Sequence, residues 1–171
     1  MWPLLFLILL VFAAGNALAA ARVDISVVGE ITSLTCKVAL GGNMTVTLPA
    51  QKITALTKKY DTAGKTPFTI SIAGCSDVAS FSFENDQATV NAEGRLVNTA
   101  VAGAKNIELQ ILNESGATVD LVGVKGQQNI SESVSVKPDT ESFNFSVQYF
   151  SLGAAVAGSV KSSLTFLVEF N

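Results

Sequence analysis

Histidine, reactive cysteine and clustered carboxylates are the usual starting points for chemistry, and this chain offers little of any. There is no histidine among its 171 residues. That excludes Ser-His-Asp and Cys-His catalysis, zinc sites built on imidazole, and histidine-based pH switching. The 14 Asp and Glu residues are scattered rather than paired. Glu84, Asp86, Asp139 and Glu141 fall in segments that read as solvated loops, and no nucleophile–base pair or phosphate-cradling glycine loop stands out. No enzymatic activity, metal or cofactor is therefore expected. The net charge of −3 gives no electrostatic footprint for nucleic acid.

The two cysteines, Cys36 and Cys75, gain meaning from the N-terminal segment. Trp2 to Ala14 is almost wholly apolar, and Ala17-Leu18-Ala19 follows it with a small-x-small pattern. This is the form of a secretory signal peptide, residues 1–19, with cleavage after Ala19 or, as the second choice, after Ala21. The run is short for a bilayer span, which needs about 20 apolar residues. It also inflates the mean hydropathy of +0.43. In an oxidising compartment an even cysteine count suggests one disulfide, Cys36 to Cys75, with two free buried thiols as the other arrangement. Closing a loop of about 40 residues contributes roughly 4 kcal/mol in the chain-entropy description.

Beyond residue 22 the apolar residues alternate with a period of two. Val23, Ile25, Val27, Gly29 and Ile31 share one face, with Asp24, Ser26 and Glu30 on the other. The pattern returns at Met44/Val46/Leu48, Phe68/Ile70/Ile72, Phe81/Phe83, Ile107/Leu109/Ile111, Val119/Leu121, Phe143 to Tyr149 and Leu164 to Phe170. Such alternation predicts half-buried antiparallel strands. Gly41-Gly42, Gly123 to Gln128 and Gly153 to Gly158 read as loops, and Gln51 to Lys59 has room for a helical turn at most. The expected fold class is all-β, an immunoglobulin-like sandwich, with no linker dividing residues 34–171. The sequons at Asn43, Asn113, Asn129 and Asn144 read as chance in a chain rich in Asn, Ser and Thr.

Several stretches, in order, resemble pilin subunits of chaperone–usher fimbriae of the type 1 kind. They are Gly29-Glu30-Ile31 followed by Cys36; Thr66-Pro67-Phe68-Thr69-Ile70 leading to Cys75; and Leu96-Val97-Asn98 followed by Ala104 to Ile111. Phe145 to Tyr149, Ala157-Gly158-Ser159-Val160 and Leu164 to Phe170 complete the set. The resemblance implies an incomplete immunoglobulin-like domain, residues 34–171, preceded by a donor-strand extension, residues 20–33. In that family a periplasmic chaperone first fills the groove left by the absent strand. A neighbouring subunit's extension replaces it at the outer-membrane usher, a mode of strand addition also used by other β-proteins. By the same resemblance Val23, Ile25, Val27 and Gly29 form the donor strand. Leu164, Phe166, Val168 and Phe170 border the groove and face the chaperone, with Asn171 as the carboxylate anchor. Cys36 and Cys75 correspond to the family disulfide.

The resemblance thus implies an exported structural subunit that polymerises into a surface pilus serving cell adhesion. Its implied partners are other pilin subunits, the chaperone and the usher. The alternative is a self-complete secreted β-sandwich that binds a partner through its loops, with residues 20–30 as a strand of its own sheet.

If Cys36 and Cys75 bridge, the mature protein made in an oxidising compartment contains no free thiol. Reaction of both cysteines with a thiol reagent, after denaturation without reductant, would overturn the bridge.

Overall fold

The structure is a computed structural model, and it describes residues 37–38, 43–73, 78–124, 127–130, 133–135 and 141–170. The chain divides into two units, Met1–Ile31 and Thr32–Asn171, and every described residue belongs to the second. The expected signal peptide (1–19), the expected donor extension (20–33), Cys36, Cys75 and Asn171 lie outside the described residues.

Eight segments of this unit are strands among the described residues. They are β1 (Lys37–Val38), β2 (Thr62–Ala73), β3 (Val78–Phe83), β4 (Leu96–Val97), β5 (Lys105–Leu112), β6 (Ser133–Ser135), β7 (Glu141–Val156) and β8 (Phe166–Phe170). All pairings between them are antiparallel. One sheet has the order β1-β2-β7-β5-β4, the other β6-β3-β8. Among the described residues helix is confined to a 3-10 turn at Ile53–Ala55. The β-branched and aromatic residues of these segments suit a pleated, half-buried surface.

The core fills the space between the two sheets. Phe81 on β3 meets Phe143 on β7 with ring centroids 4.3 Å apart, and Phe83 meets Phe145 edge-on at 5.1 Å. Phe166 on β8 lies within 6.3 Å of all four rings. Ile72, Ile111, Val119, Leu121 and Val147 close the cluster. The outward row of the larger sheet is polar and mostly uncharged. Thr69 bonds Asn144, Ser71 bonds Ser142, and Gln148 donates to Gln110, each at 2.9 Å. This is the alternation expected of a sheet wet on one side.

A side chain replaces a strand at one place in the smaller sheet. Among the described residues β6 pairs with β3 only at Val78–Ser80, and Phe83 has no strand partner on that side. Gln128, 1% exposed, takes the position. Its Oε1 accepts from the Phe83 N–H at 2.7 Å and its Nε2 donates to the Phe83 carbonyl at 2.8 Å. Both backbone groups are thereby satisfied without a ladder.

Four sequence expectations are corrected. Gly153 to Gly158 is not simply a loop, because β7 continues to Val156. Lys105 pairs with Val156 while Ile107 pairs with Ser151, so extra residues of β7 bulge outward. Glu141 is the first residue of β7 rather than a loop residue. Val119 and Leu121 are fully buried but form no strand; their segment touches the sheet through the single bridge Leu112–Thr118. Residues 43–50 alternate as expected yet form no ladder. Beside them β2 carries Pro67, which has no N–H to offer, and a bulge between Ala63 and Thr66. That bulge turns on Gly64, whose φ of +67 suits glycine, and a Cβ there would lie 2.9 Å from the Tyr149 ring.

Gln128→Leu strands a buried N–H and a buried carbonyl on Phe83. It is expected to lower stability by about 3 kcal/mol, read as a reduced denaturant midpoint at unchanged slope. An unchanged midpoint would show that the amide does not stand in for a strand.

Candidate functional site

Between residues 43–48 and 162–166 the sandwich is open. The opening is a groove of about 460 Å³. Met44, Val46 and Leu48 line one wall, and Ser162, Leu164 and Phe166 the other. Phe68, Ile70, Phe83, Leu96, Leu109, Ile111 and Val147 form its floor, and none of the lining residues is charged. Several of these floor residues belong to the core cluster, so the groove is a window into the core.

Each rim has a stretch without backbone partners among the described residues. Residues 43–50 make no backbone–backbone hydrogen bond to any described residue. On the facing rim, Lys161 accepts from the Thr99 N–H, and the Thr165 carbonyl accepts from the Glu84 N–H at 2.9 Å. Ser162, Ser163 and Leu164 between them have no backbone partner among the described residues. Among the described residues β8 then pairs with β3 alone and is an edge strand. Apolar side chains directed inward between two rows of free backbone groups form a site for an extended chain. The rims supply the hydrogen bonds and the pockets take alternate side chains.

Of the residues the sequence assigned to this strand, Leu164 and Phe166 line the groove. Val168 is half-buried against the core. Phe170 pairs through its backbone with Ala79. The strand itself begins at Phe166, so Leu164 keeps the inward alternation without the ladder. Val23, Ile25, Val27, Gly29, Cys36, Cys75 and Asn171 are outside the described residues.

The elements that hold the rim appeared in the sequence only as stretches of family resemblance, with no role assigned to them. Asn98, just after β4, donates from Nδ2 to the carbonyls of Ala104 (3.1 Å) and Ser159 (3.0 Å). Its Oδ1 accepts from the N–H groups of Ala100 (3.1 Å) and Lys161 (3.0 Å). Gly158 permits the close approach, because a Cβ there would collide with the backbone of Ala104. Away from the groove, Arg95 donates to the Glu108 carboxylate at 2.6 Å, beside Asn91, and stacks over the Phe150 ring at 4.5 Å. Burial raises the Tyr149 hydroxyl above its ordinary pKa. The exposed Asp61 carboxyl lies below its own, held there chiefly by the Lys58 N–H, with Thr57 also donating to it. Fold-back contacts of this kind leave no signature in alternation alone; an Asn between a short strand and a glycine-containing loop is the only sequence hint.

Comparison with known proteins agrees with this geometry. Residues 25–171 match the family model described as fimbrial protein. The chain is 30% identical to the F17 fimbrial protein of Escherichia coli, covering 95% of this chain and 96% of that one. It is 32% identical to the major fimbrial subunit SMF-1 of Stenotrophomonas maltophilia, covering 93% and 98%. Among solved structures, the P pilus rod subunit PapA superposes with a TM-score of 0.61 at 10% identity, covering 80% of this chain and 99% of that one. A chaperone–usher pilus subunit gives 0.62 at 8% identity, covering 92% and 100%. These two structures establish the shared immunoglobulin-like fold. The chain belongs to the fimbrial protein family. It is a structural subunit of surface fimbriae, which assembles with other pilin subunits.

An open apolar groove binds hydrophobic dyes such as ANS. Leu164→Glu places a carboxylate inside the groove and is expected to reduce dye fluorescence by about half or more. Ala117→Glu, exposed and away from the groove lining, leaves it unchanged. Equal effects from the two substitutions would mean the dye reads another surface.

Proposed function

We propose that this fimbrial subunit polymerises by strand exchange, its groove accepting residues 20–33 of the next subunit. The observation that carries the reading is the groove itself: an uncharged apolar slot along which residues 43–50 and 162–164 have no backbone partner among the described residues. The row Val23, Ile25, Val27 and Gly29 alternates as an occupant of such a slot requires. Each buried aliphatic side chain contributes roughly 1.5 to 3 kcal/mol before the cost of ordering the strand.

A subunit with an uncovered groove is an aggregation hazard, so its passage to the cell surface calls for temporary cover. In this reading a periplasmic chaperone supplies the cover along the rim Leu164, Phe166, Val168 and Phe170, anchored at the Asn171 carboxylate. An outer-membrane usher presents the next extension. A disulfide between Cys36 and Cys75 secures the first strand of the domain, and residues 1–19 are removed on export. The polymer's task is structural and adhesive rather than catalytic.

Moving residues 20–31 from the N-terminus to a flexible linker after Asn171 tests this. The appended strand can fill its own groove at high effective concentration. The rearranged chain is expected to be a soluble monomer with a clearly higher denaturant midpoint, while the ordinary mature chain aggregates or polymerises without its chaperone. Ile25→Asp in the appended strand removes the gain and Ser26→Asp does not. A stable monomeric ordinary chain, weakened by the rearrangement, would favour the self-complete sandwich instead.

A further inference from the structure

The free rim is a span of three residues held at both ends. Downstream, the Glu84 N–H binds the Thr165 carbonyl and β8 begins at Phe166. Upstream, segment 159–161 is tied to loop 98–104. The Ala104 N–H donates to the Ser159 carbonyl at 2.9 Å, and the Thr99 N–H and Oγ1 both donate to the Lys161 carbonyl at 2.8 and 3.0 Å. Asn98 joins the two sides with all four of its bonds, two within the loop and two to Ser159 and Lys161. Between these anchors, Ser162, Ser163 and Leu164 continue the inward–outward alternation without a ladder of their own. Among the described residues no backbone bond on the groove side holds this stretch, and its anchors lie at its two ends.

We propose that Asn98 is a positioning residue for strand capture. It holds the rim Ser162–Leu164 extended before any strand arrives, so that an incoming strand meets backbone groups already aligned. The inference rests on the strand-exchange reading above. Pre-arranging a binding edge removes ordering cost at the moment of encounter, so its loss appears in the rate of capture. Once a strand fills the groove, the new ladder holds the rim by itself, and Asn98 becomes nearly dispensable. A merely structural Asn98 has the opposite signature: the filled form melts earlier, and capture per folded molecule does not change.

The full mature chain, folded in an excess of a fluorescent peptide of residues 20–31, provides the measurement. Capture rate per folded subunit is followed together with the dissociation rate of the filled complex. Asn98→Ala is expected to slow capture about tenfold or more, with dissociation changed less than about twofold. Asn106→Gly serves as the control. It removes a comparable side-chain bond, to the Ala154 carbonyl at 2.9 Å, and is compatible with that residue's φ of +59. It is expected to leave capture unchanged. If Asn98→Ala does not fold, Thr99→Val removes only the Oγ1 bond to Lys161 and is expected to slow capture in the same direction by a smaller factor. Capture at the unsubstituted rate by the folded variant, or an equal slowing by Asn106→Gly, overturns the positioning role. An unsubstituted chain that fails to take up the peptide overturns the strand-exchange reading instead.

Discussion

Backbone N–H and C=O groups beside apolar side chains must find partners, and the arrangement of this molecule follows from where they do and do not. Along β2, β7 and β5 the ladders are nearly continuous, and the core behind them is closed by aromatic rings. At residues 43–50 and 162–164 the partners are absent among the described residues, and there the core opens. The groove is thus the consequence of a ladder that one chain leaves unfinished, rather than a cavity carved into a finished sandwich. Its lack of charge follows as well, since its floor is the inward face of the opposite sheet.

Two solutions to the same accounting problem stand close together. At Phe83 the missing strand is replaced by one amide side chain, Gln128, which satisfies a single residue's two backbone groups. That works where the gap is one residue long. Along the groove the gap runs for several residues on both rims, and only another extended segment has the right repeat of donors and acceptors. The contrast explains why one gap is sealed within the chain and the other belongs to assembly.

Much of this was legible in the sequence because period-two alternation is written residue by residue. Phe68/Ile70/Ile72, Ile107/Leu109/Ile111 and Phe143 to Val147 all turn inward, and the glycine and cysteine spacing carried the family resemblance. Alternation does not distinguish a strand with two neighbours from a rim with none. Met44, Val46 and Leu48 therefore read as an ordinary strand, and only the family resemblance set Leu164 at the groove. Composition misled at Gly153 to Gly158, where Gly and Ala suggested a loop. There the ladder to Lys105 and the bond from the Ala155 N–H to the Leu56 carbonyl carry β7 onward. Asn98, Gln128 and the Arg95–Glu108 pair act across long sequence separations or through side-chain-to-backbone bonds, which no local pattern records.

The mostly uncharged outward row of the larger sheet bears on how the molecule responds to the medium around it. Its cross-strand bonds at Thr69–Asn144, Ser71–Ser142 and Gln110–Gln148 join neutral groups, so dissolved ions have no net charge there to screen. The ion pairs among the described residues centre on Arg95, and its close bond to Glu108 is largely withdrawn from water. At these contacts, then, the subunit's cohesion is expected to change little between dilute water and brine, which suits an appendage outside the cell, where the surroundings set the ionic strength.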